Sequence, residues 1–286
     1  MGSDGETLSP DEAFRLLGDE TRTAILRAVW EAPEDAVSFS DIRERIGSPD
    51  SGKFNYHLNK LADHFLSKGE DGYRLTQAGR EVVRAVMAGT ITQRPEMESA
   101  AIDARCVDCD GELVARYDEY GIIECGDCGE SVMWNEFPPA GLDSRTPGTF
   151  ATAFDRWTQT RFRLAMDGIC PSCAGETTTE MLDGEAGGDD GIATMHRCAN
   201  CKYEARVPLF GHVTSHPAVV SFYYEQGVDV TDAPYWRMQA LAREFTEEVV
   251  SEDPWTAEIA ITSGDRTLVL TLDERLDVVA VDPPEQ

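Results

Sequence analysis

The chain has 286 residues and a formal net charge of −28, from 25 Lys and Arg against 53 Asp and Glu. The length predicts two or three domains, and a hydrophobic fraction of 41% is sufficient for packed cores, which excludes a wholly disordered chain. No apolar run approaches the roughly 18 residues of a membrane span, and the N-terminus lacks the segments of a signal peptide, so we expect a cytoplasmic protein without a membrane partner.

The acidity has two interpretations. Acidic chains usually avoid nucleic acid, because duplex binding depends on Lys and Arg that neutralise phosphates. Alternatively the charge is a halophilic adaptation, since only four basic residues are Lys and concentrated salt screens self-repulsion. We favour the second interpretation.

The acidic charge is unevenly distributed along the chain. Residues 1–94 hold 12 basic and 16 acidic residues, net −4, whereas residues 95–286 hold 13 basic and 37 acidic residues, net −24. Residues 38–68 hold 5 and 4, net +1, so this segment escapes the acidity.

Residues 1–94 show five helical signals and one hairpin. Ser9, Pro10 and Glu12 predict a capping box at the first helix. Further helices are predicted to begin after Asp19, Ser38, Asp50 and Thr76, and residues 66–75 form two short arms around a Gly-rich turn. In the fourth helix an apolar stripe is predicted, formed by Phe54, Leu58, Leu61 and Phe65.

The remaining side chains of this fourth helix are suited to nucleic acid. Lys and Asn side chains on an exposed helix face can contact phosphates and base edges. The candidate DNA contacts are Lys53, Asn55, Tyr56, His57, Asn59 and Lys60 on the helix, with Lys68, Tyr73 and Arg74 on the hairpin. Alternatively, Tyr56 and His57 are ordinary packing residues.

Among these five helices, three that precede the hairpin, together with the hairpin and the closing helix, predict a winged helix-turn-helix. The segments 13–26 (AFRLLGDETRTAIL), 53–61 (KFNYHLNKL) and 75–79 (LTQAG) resemble the ArsR-like family of transcription regulators, in the form found in halophilic archaea. The resemblance implies a homodimer that binds double-stranded DNA, with the fourth helix in the major groove. Because no Cys precedes residue 106, the metal-triggered release of some family members is not expected. The alternative is a protein-binding module.

Eight Cys form four Cys-x-x-Cys pairs in two tandem units that resemble zinc ribbons. Four thiolates fill a tetrahedral zinc ion, which predicts two structural zinc ions per chain and no open catalytic position. The candidate ligands are Cys106, Cys109, Cys125 and Cys128 in the first unit, and Cys170, Cys173, Cys198 and Cys201 in the second. Disulfides, redox catalysis and iron are alternatives. Sequential ligand sharing is favoured over an interleaved arrangement, because the repeat itself is sequential.

The units are flanked by predicted strands and helices. Strands are expected at 112–117, 122–124, 195–197 and 203–207, and the Gly-rich acidic insert at 183–191 is expected to be a surface loop. Phe150, Phe154, Trp157, Arg161 and Leu164 have helical spacing, residues 233–248 are predicted to be helical, and a three-stranded meander is predicted after residue 254. His212 and His216 are expected to precede a helix, and a metal site there is disfavoured.

Together these patterns predict an α+β multidomain chain. The expected boundaries are 1–94 for the winged helix, 100–167 and 168–227 for the two ribbons with their helices, and 228–286 for a C-terminal helix and antiparallel strands. No enzyme motif is recognisable. We expect a sequence-specific transcription regulator. The alternatives are a general transcription factor resembling archaeal transcription factor E, with contacts to the transcription machinery, and a zinc-stabilised protein adaptor.

Overall fold

The structure is a computed structural model that describes residues 8–62, 64–182 and 191–283. Its contacts divide the chain into two compact units: Met1–Arg94 with Pro138–Ala140, and Pro95–Phe137 with Gly141–Gln286. The fold is mixed α+β, and every strand pairing among the described residues is antiparallel. The predicted surface loop at 183–191 lies outside the described residues, apart from Gly191. No described helix is long and apolar enough to cross a membrane.

The first unit contains the five predicted helices and the predicted hairpin. They are α1 (Pro10–Leu17), α2 (Glu20–Trp30), α3 (Phe39–Arg45), α4 (Ser51–Leu61), β1 (Leu66–Gly69), β2 (Gly72–Leu75) and α5 (Gln77–Met87). The capping box of α1 is confirmed, because the Ser9 hydroxyl accepts from the Glu12 amide and the Glu12 carboxylate accepts from the Ser9 amide. The other four predicted caps also accept hydrogen bonds from the first turns of their helices.

The core of the first unit forms on the predicted stripe of α4. Phe54, Leu58 and Leu61 are completely buried and belong to one apolar cluster with Ile25 and Leu26 of α2. The hairpin is anchored to this core by Tyr73, whose backbone exchanges two hydrogen bonds of 2.9 Å with Val37. The exposed face of α4 therefore lies opposite a fully packed face.

The second unit contains three meander sheets. The first is β3 (Glu96–Arg105), β4 (Glu112–Asp118), β5 (Tyr120–Cys125) and β6 (Ser131–Asn135), followed by α6 (Pro147–Met166). The second is β7 (Thr177–Leu182), β8 (Ala193–Cys198) and β9 (Glu204–Pro208), followed by α7 (Leu209–Val213), α8 (Pro217–Tyr224) and α9 (Tyr235–Ala242). The third is β10 (Phe245–Glu252), β11 (Trp255–Ser263), β12 (Arg266–Asp273) and β13 (Val278–Asp282).

The long helix α6 packs against the first sheet. Its Phe150 and Phe154 are completely buried, and their stacked rings have centroids 5.7 Å apart. Gly121 in β5 permits this approach, since a Cβ atom there would lie 2.5 Å from the Phe154 ring. The third sheet buries one face in the same way, with alternating Ile and Leu side chains of β11 and β12 packed against Phe222 and Met238.

The prediction of a helix over residues 233–248 was wrong in its second half. Helix α9 ends at Ala242, and Phe245 begins strand β10. This strand pairs with β11 from Phe245 to Glu252, so the predicted three-stranded meander has four strands. The physical reason is that the alternation of Phe245, Glu247 and Val249 allows one side of a strand to pack on the sheet.

Asp155 connects α6 to the start of α9. Its carboxylate is 1% exposed and accepts hydrogen bonds from the Gln159 amide at 2.9 Å and the Tyr235 backbone N–H at 2.8 Å. Pro234, the residue before α9, provides no side-chain cap. Asp155 therefore satisfies an N-terminal donor of α9 from another helix, and burial raises the pKa of its carboxyl group.

We predict that Asp155→Ala destabilises the protein by about 2 to 3 kcal/mol, because it removes the buried acceptor of the Tyr235 N–H and of the shorter hydrogen bonds from the Gln159 amide. Asp232→Ala is the matched control: this aspartate forms an ion pair with Arg156 but is 83% exposed, so it should cost less than about 1 kcal/mol. Denaturant unfolding midpoints measure both changes. Equal losses would contradict the assigned role of Asp155.

Candidate metal centres and candidate nucleic-acid interface

The eight cysteines form two groups of four in the second unit. Cys106, Cys109, Cys125 and Cys128 form one group, and Cys170, Cys173, Cys198 and Cys201 form the other, with all ligand atoms of a group within 4.8 Å of one another. The first Cys of every pair is buried and the second is exposed. Each group therefore lies at the edge of a core, and either could hold a metal ion.

The four Cys-x-x-Cys turns share one backbone geometry. In each turn the amide of the first Cys donates to the carbonyl five residues later, and the amide four residues later donates back to the carbonyl of that Cys. The residue that makes this return bond always has positive φ: Asp110 at 59°, Gly129 at 77°, Ala174 at 56° and Lys202 at 65°. Only one of these four left-handed positions is occupied by a glycine, Gly129.

Distances between sulfur atoms fit tetrahedral coordination. Across the first group, the Sγ atoms of Cys106 and Cys128 are 3.8 Å apart, and those of Cys109 and Cys125 are 3.5 Å apart. Across the second group the corresponding distances are 3.4 Å and 3.6 Å. A disulfide requires about 2.05 Å, whereas thiolates about 2.3 Å from a tetrahedral zinc ion lie about 3.8 Å apart. The donor set therefore fits one ion in each group.

Amide hydrogen bonds stabilise the anionic form of one thiol in each group, Cys125 and Cys173. The backbone N–H groups of Cys128 and Asp127 each lie 3.4 Å from Cys125 Sγ, and these bonds lower the pKa of Cys125 to about 6. In the second group, the Asn200 side-chain amide is the largest of the contributions that lower the pKa of Cys173 to about 6. A metal ion requires this anionic form.

The positions of the cysteines show which Cys pairs could share a metal ion. Each group combines two consecutive Cys pairs, so the predicted sequential arrangement is confirmed and the interleaved one is excluded. The predicted strands that flank the turns are also present as β4, β5, β8 and β9.

The candidate nucleic-acid interface is the outer face of α4 in the first unit. Lys53, Asn55, Asn59 and Lys60 are exposed, and Tyr56 is 57% exposed with Lys60 Nζ 5.8 Å from its ring centroid. The helix contains no acidic residue. Its N-cap, Asp50, directs its carboxylate to the amides of Gly52 and Lys53.

Two residues predicted to contact DNA are buried instead. His57 is 6% exposed, and its Nδ1 lies 3.3 Å from the carboxylate of Asp19, the N-cap of α2. Tyr73 is 5% exposed and belongs to the core beneath the hairpin. The prediction that these two residues contact DNA was therefore wrong, because both side chains are buried in the first unit. On the hairpin, Lys68 and Arg74 are exposed.

The rings of three histidines of the second unit, His196, His212 and His216, form hydrogen bonds. His196 and His212 each place Nε2 2.9 Å from the Thr194 hydroxyl, a contact that the sequence did not predict because the two residues are on different elements. His212 lies in α7, whereas His216 caps α8, so the two do not share a helix. Burial, followed by the neighbouring His196, lowers the pKa of His212 to about 4.

The second unit is thus a mixed α+β domain that carries two four-cysteine centres. Residues 103–278 match the family model described as "Domain of unknown function (DUF7351)", which covers more than half of the chain, and the chain belongs to that family. Residues 10–86 match a separate model, described as "Domain of unknown function (DUF7347)". None of the curated proteins compared, and no solved structure, is significantly similar to the chain.

We predict that Cys109→Ser and Cys173→Ser each remove one of two bound metal ions, because each group closes with its own four thiols. Elemental analysis of the purified protein, before and after the substitution, measures the ratio. The Cys109 variant should retain the ion of the second group, and the Cys173 variant that of the first. Loss of both ions from either single variant would contradict independent sites.

A second prediction concerns the left-handed positions of the turns. Gly129→Ala should destabilise the metal-loaded protein by about 1 kcal/mol, because an L-residue at φ 77° is strained although no atom lies near the added Cβ. Ala174→Gly is the reciprocal change and should stabilise it by about 0.5 to 1 kcal/mol. Denaturant midpoints of the two variants should move in opposite directions; movement in the same direction would contradict the strain argument.

Proposed function

We propose that the protein is a sequence-specific DNA-binding regulator of transcription. The N-terminal unit acts as a winged helix-turn-helix, in which α4 enters the major groove and the β1–β2 hairpin is the wing. The observation that carries the proposal is the outer face of α4, where two Lys, two Asn and one Tyr are exposed on a helix without a carboxylate. In a chain with 53 acidic residues, this surface is suited to an anionic partner.

The roles of individual residues follow from their chemistry. Lys53 and Lys60 neutralise phosphates, whereas Asn55 and Asn59 carry the donor and acceptor pair that reads adenine in the major groove. Lys68 and Arg74 of the hairpin contact the DNA backbone. His57 positions α4 by facing Asp19 rather than by touching DNA.

A homodimer forms part of the proposal. The ArsR-like resemblance implies two copies, and two α4 helices read two half-sites about one helical turn apart. Dimerisation compensates for the weaker phosphate attraction of an acidic protein in salt, because the two halves bind as one unit.

The metal ions of the second unit are proposed to be zinc, in a structural role. Four thiolates from two tight turns leave no open coordination position, and the sulfur spacing supports tetrahedral geometry. Metal binding then contributes folding free energy to small sheets with limited cores of their own.

We predict that Lys53→Ala combined with Asn59→Ala weakens specific DNA binding about 10- to 100-fold, because it removes one phosphate contact and one base contact. The measurement is immunoprecipitation of bound DNA from cells, followed by footprinting with the purified full-length protein at matched salt. Discrete sites should be found, and they should be lost in the double variant.

Arg27→Ala is the matched control, because it removes one exposed cation from α2 and leaves the α4 face unchanged. It should bind within about twofold of the unsubstituted protein. Absence of discrete sites at any salt concentration would overturn the proposal. Occupancy of all promoters without a preferred sequence would favour a general transcription factor instead.

A further inference from the structure

The second unit contains a pocket of about 300 Å³ that neither the metal centres nor the α4 face uses. Helices α6, α7, α8 and α9 contribute to its wall. Most of the lining is apolar, with side chains that include Phe162, Met166, Phe210, Val220 and Met238, and polar side chains such as Gln159, Thr214 and Ser215 complete it. Concave apolar sites of this size that carry a few polar groups are typical of small-molecule binding.

The charge of the lining is unusual for this chain. Although 53 of the 286 residues are acidic, no Asp or Glu is among the described residues that line the pocket. Arg163 is the single charged side chain of that lining. In a strongly acidic protein, a pocket that combines an apolar wall with one cation favours a ligand that has an apolar body and an anionic group.

Arg163 is placed to exchange its present partners for a ligand. Its Nη1 donates to Ser215 Oγ at 2.5 Å, and its Nε lies 3.6 Å from the Asp167 carboxylate one helical turn away. Its side chain is 56% exposed, so the ion pair with Asp167 is a weak surface pair. A carboxylate can accept two parallel hydrogen bonds from a guanidinium, which is a stronger arrangement.

A second, polar pocket of about 180 Å³ shares Arg163, Met166 and Ser215 with the apolar one. Its lining includes His196 and His212. Asp167, Asp277 and Arg275 also line this polar pocket. Arg163 therefore borders both an apolar space and a polar space, which is the division that an amphipathic ligand requires.

We propose that this pocket binds a small monocarboxylate with an apolar chain or ring. The carboxylate pairs with Arg163, and the apolar body lies among Met166, Phe210 and Met238. A volume of about 300 Å³ accommodates roughly ten carbon-sized groups, which suits a medium-chain acid. This site is independent of the proposed DNA-binding function, because every residue it uses belongs to the second unit.

The test uses the full-length, metal-loaded protein and three probes: octanoate, octan-1-ol and acetate. Isothermal titration at constant salt should show octanoate binding at least tenfold more tightly than the alcohol, which has the chain without the charge. Acetate, which has the charge without the chain, should not bind measurably at concentrations up to about 10 mM.

Arg163→Gln should weaken octanoate binding about 10-fold or more and change octan-1-ol binding by less than about twofold. Arg156→Gln is the matched control on the same helix, because Arg156 pairs with Asp232 and is not part of the lining; it should leave both affinities unchanged. Val220→Phe, which fills the apolar end, should weaken both ligands. Metal content and thermal melting establish that each variant is folded, and Arg163→Lys replaces Arg163→Gln if the latter is not.

Three results would overturn the proposal. The first is absence of octanoate binding to the unsubstituted protein at concentrations up to about 10 mM. The second is equal affinity for octanoate and octan-1-ol. The third is octanoate binding that is unchanged by the substitution of Arg163 in a folded variant.

Discussion

Convergence of four thiol sulfurs, repeated twice, is the constraint on which the second unit depends. Each group joins two turns that begin and end antiparallel strands, and the first Cys of each turn is part of a buried cluster. An ion bound at each group would therefore fix the ends of a sheet and the edge of its core with the same contacts. Without it, the four thiols held within 4.8 Å could not all ionise, because neighbouring thiolates would repel one another.

Much of the fold could be predicted from local signals in the sequence. The helices of the first unit follow from their caps, such as Ser9 and Asp19, and the Cys groups follow from spacing alone. Strand β3 was not predicted from the sequence, because most of its side chains are exposed and only Ile102 is buried. It therefore lacks the alternation of apolar and polar residues that marks a strand. The extent of β10 was missed because its pairing with β11 is a tertiary interaction that overrides the apparent helical spacing.

The candidate sites show the same division between local and tertiary information. Helical geometry correctly places Lys53, Asn59 and Lys60 on an outer face, but it cannot show that His57 is covered by Asp19 of a neighbouring helix. Nor can it show the pocket beside Arg163, whose lining comes from four helices separated in sequence. Among the described residues, neither the lining of this pocket nor helix α4 itself includes an Asp or Glu, which distinguishes both from the rest of this acidic chain.

The sequential grouping of the cysteines has a consequence for the order in which the protein matures. On a ribosome, all four ligands of the first group have been synthesised once Cys128 is added, before Cys170 exists. The first sheet can therefore capture its ion and close while the second is still being translated, without competition from later thiols. In an interleaved arrangement, the first pair would wait for Cys173 and the second pair for Cys201, so two half-sites would stay open until the third pair is made and one until the fourth. With sequential groups, a metal ion bound by the first four thiols would remove them from pairing with the thiols that are made later.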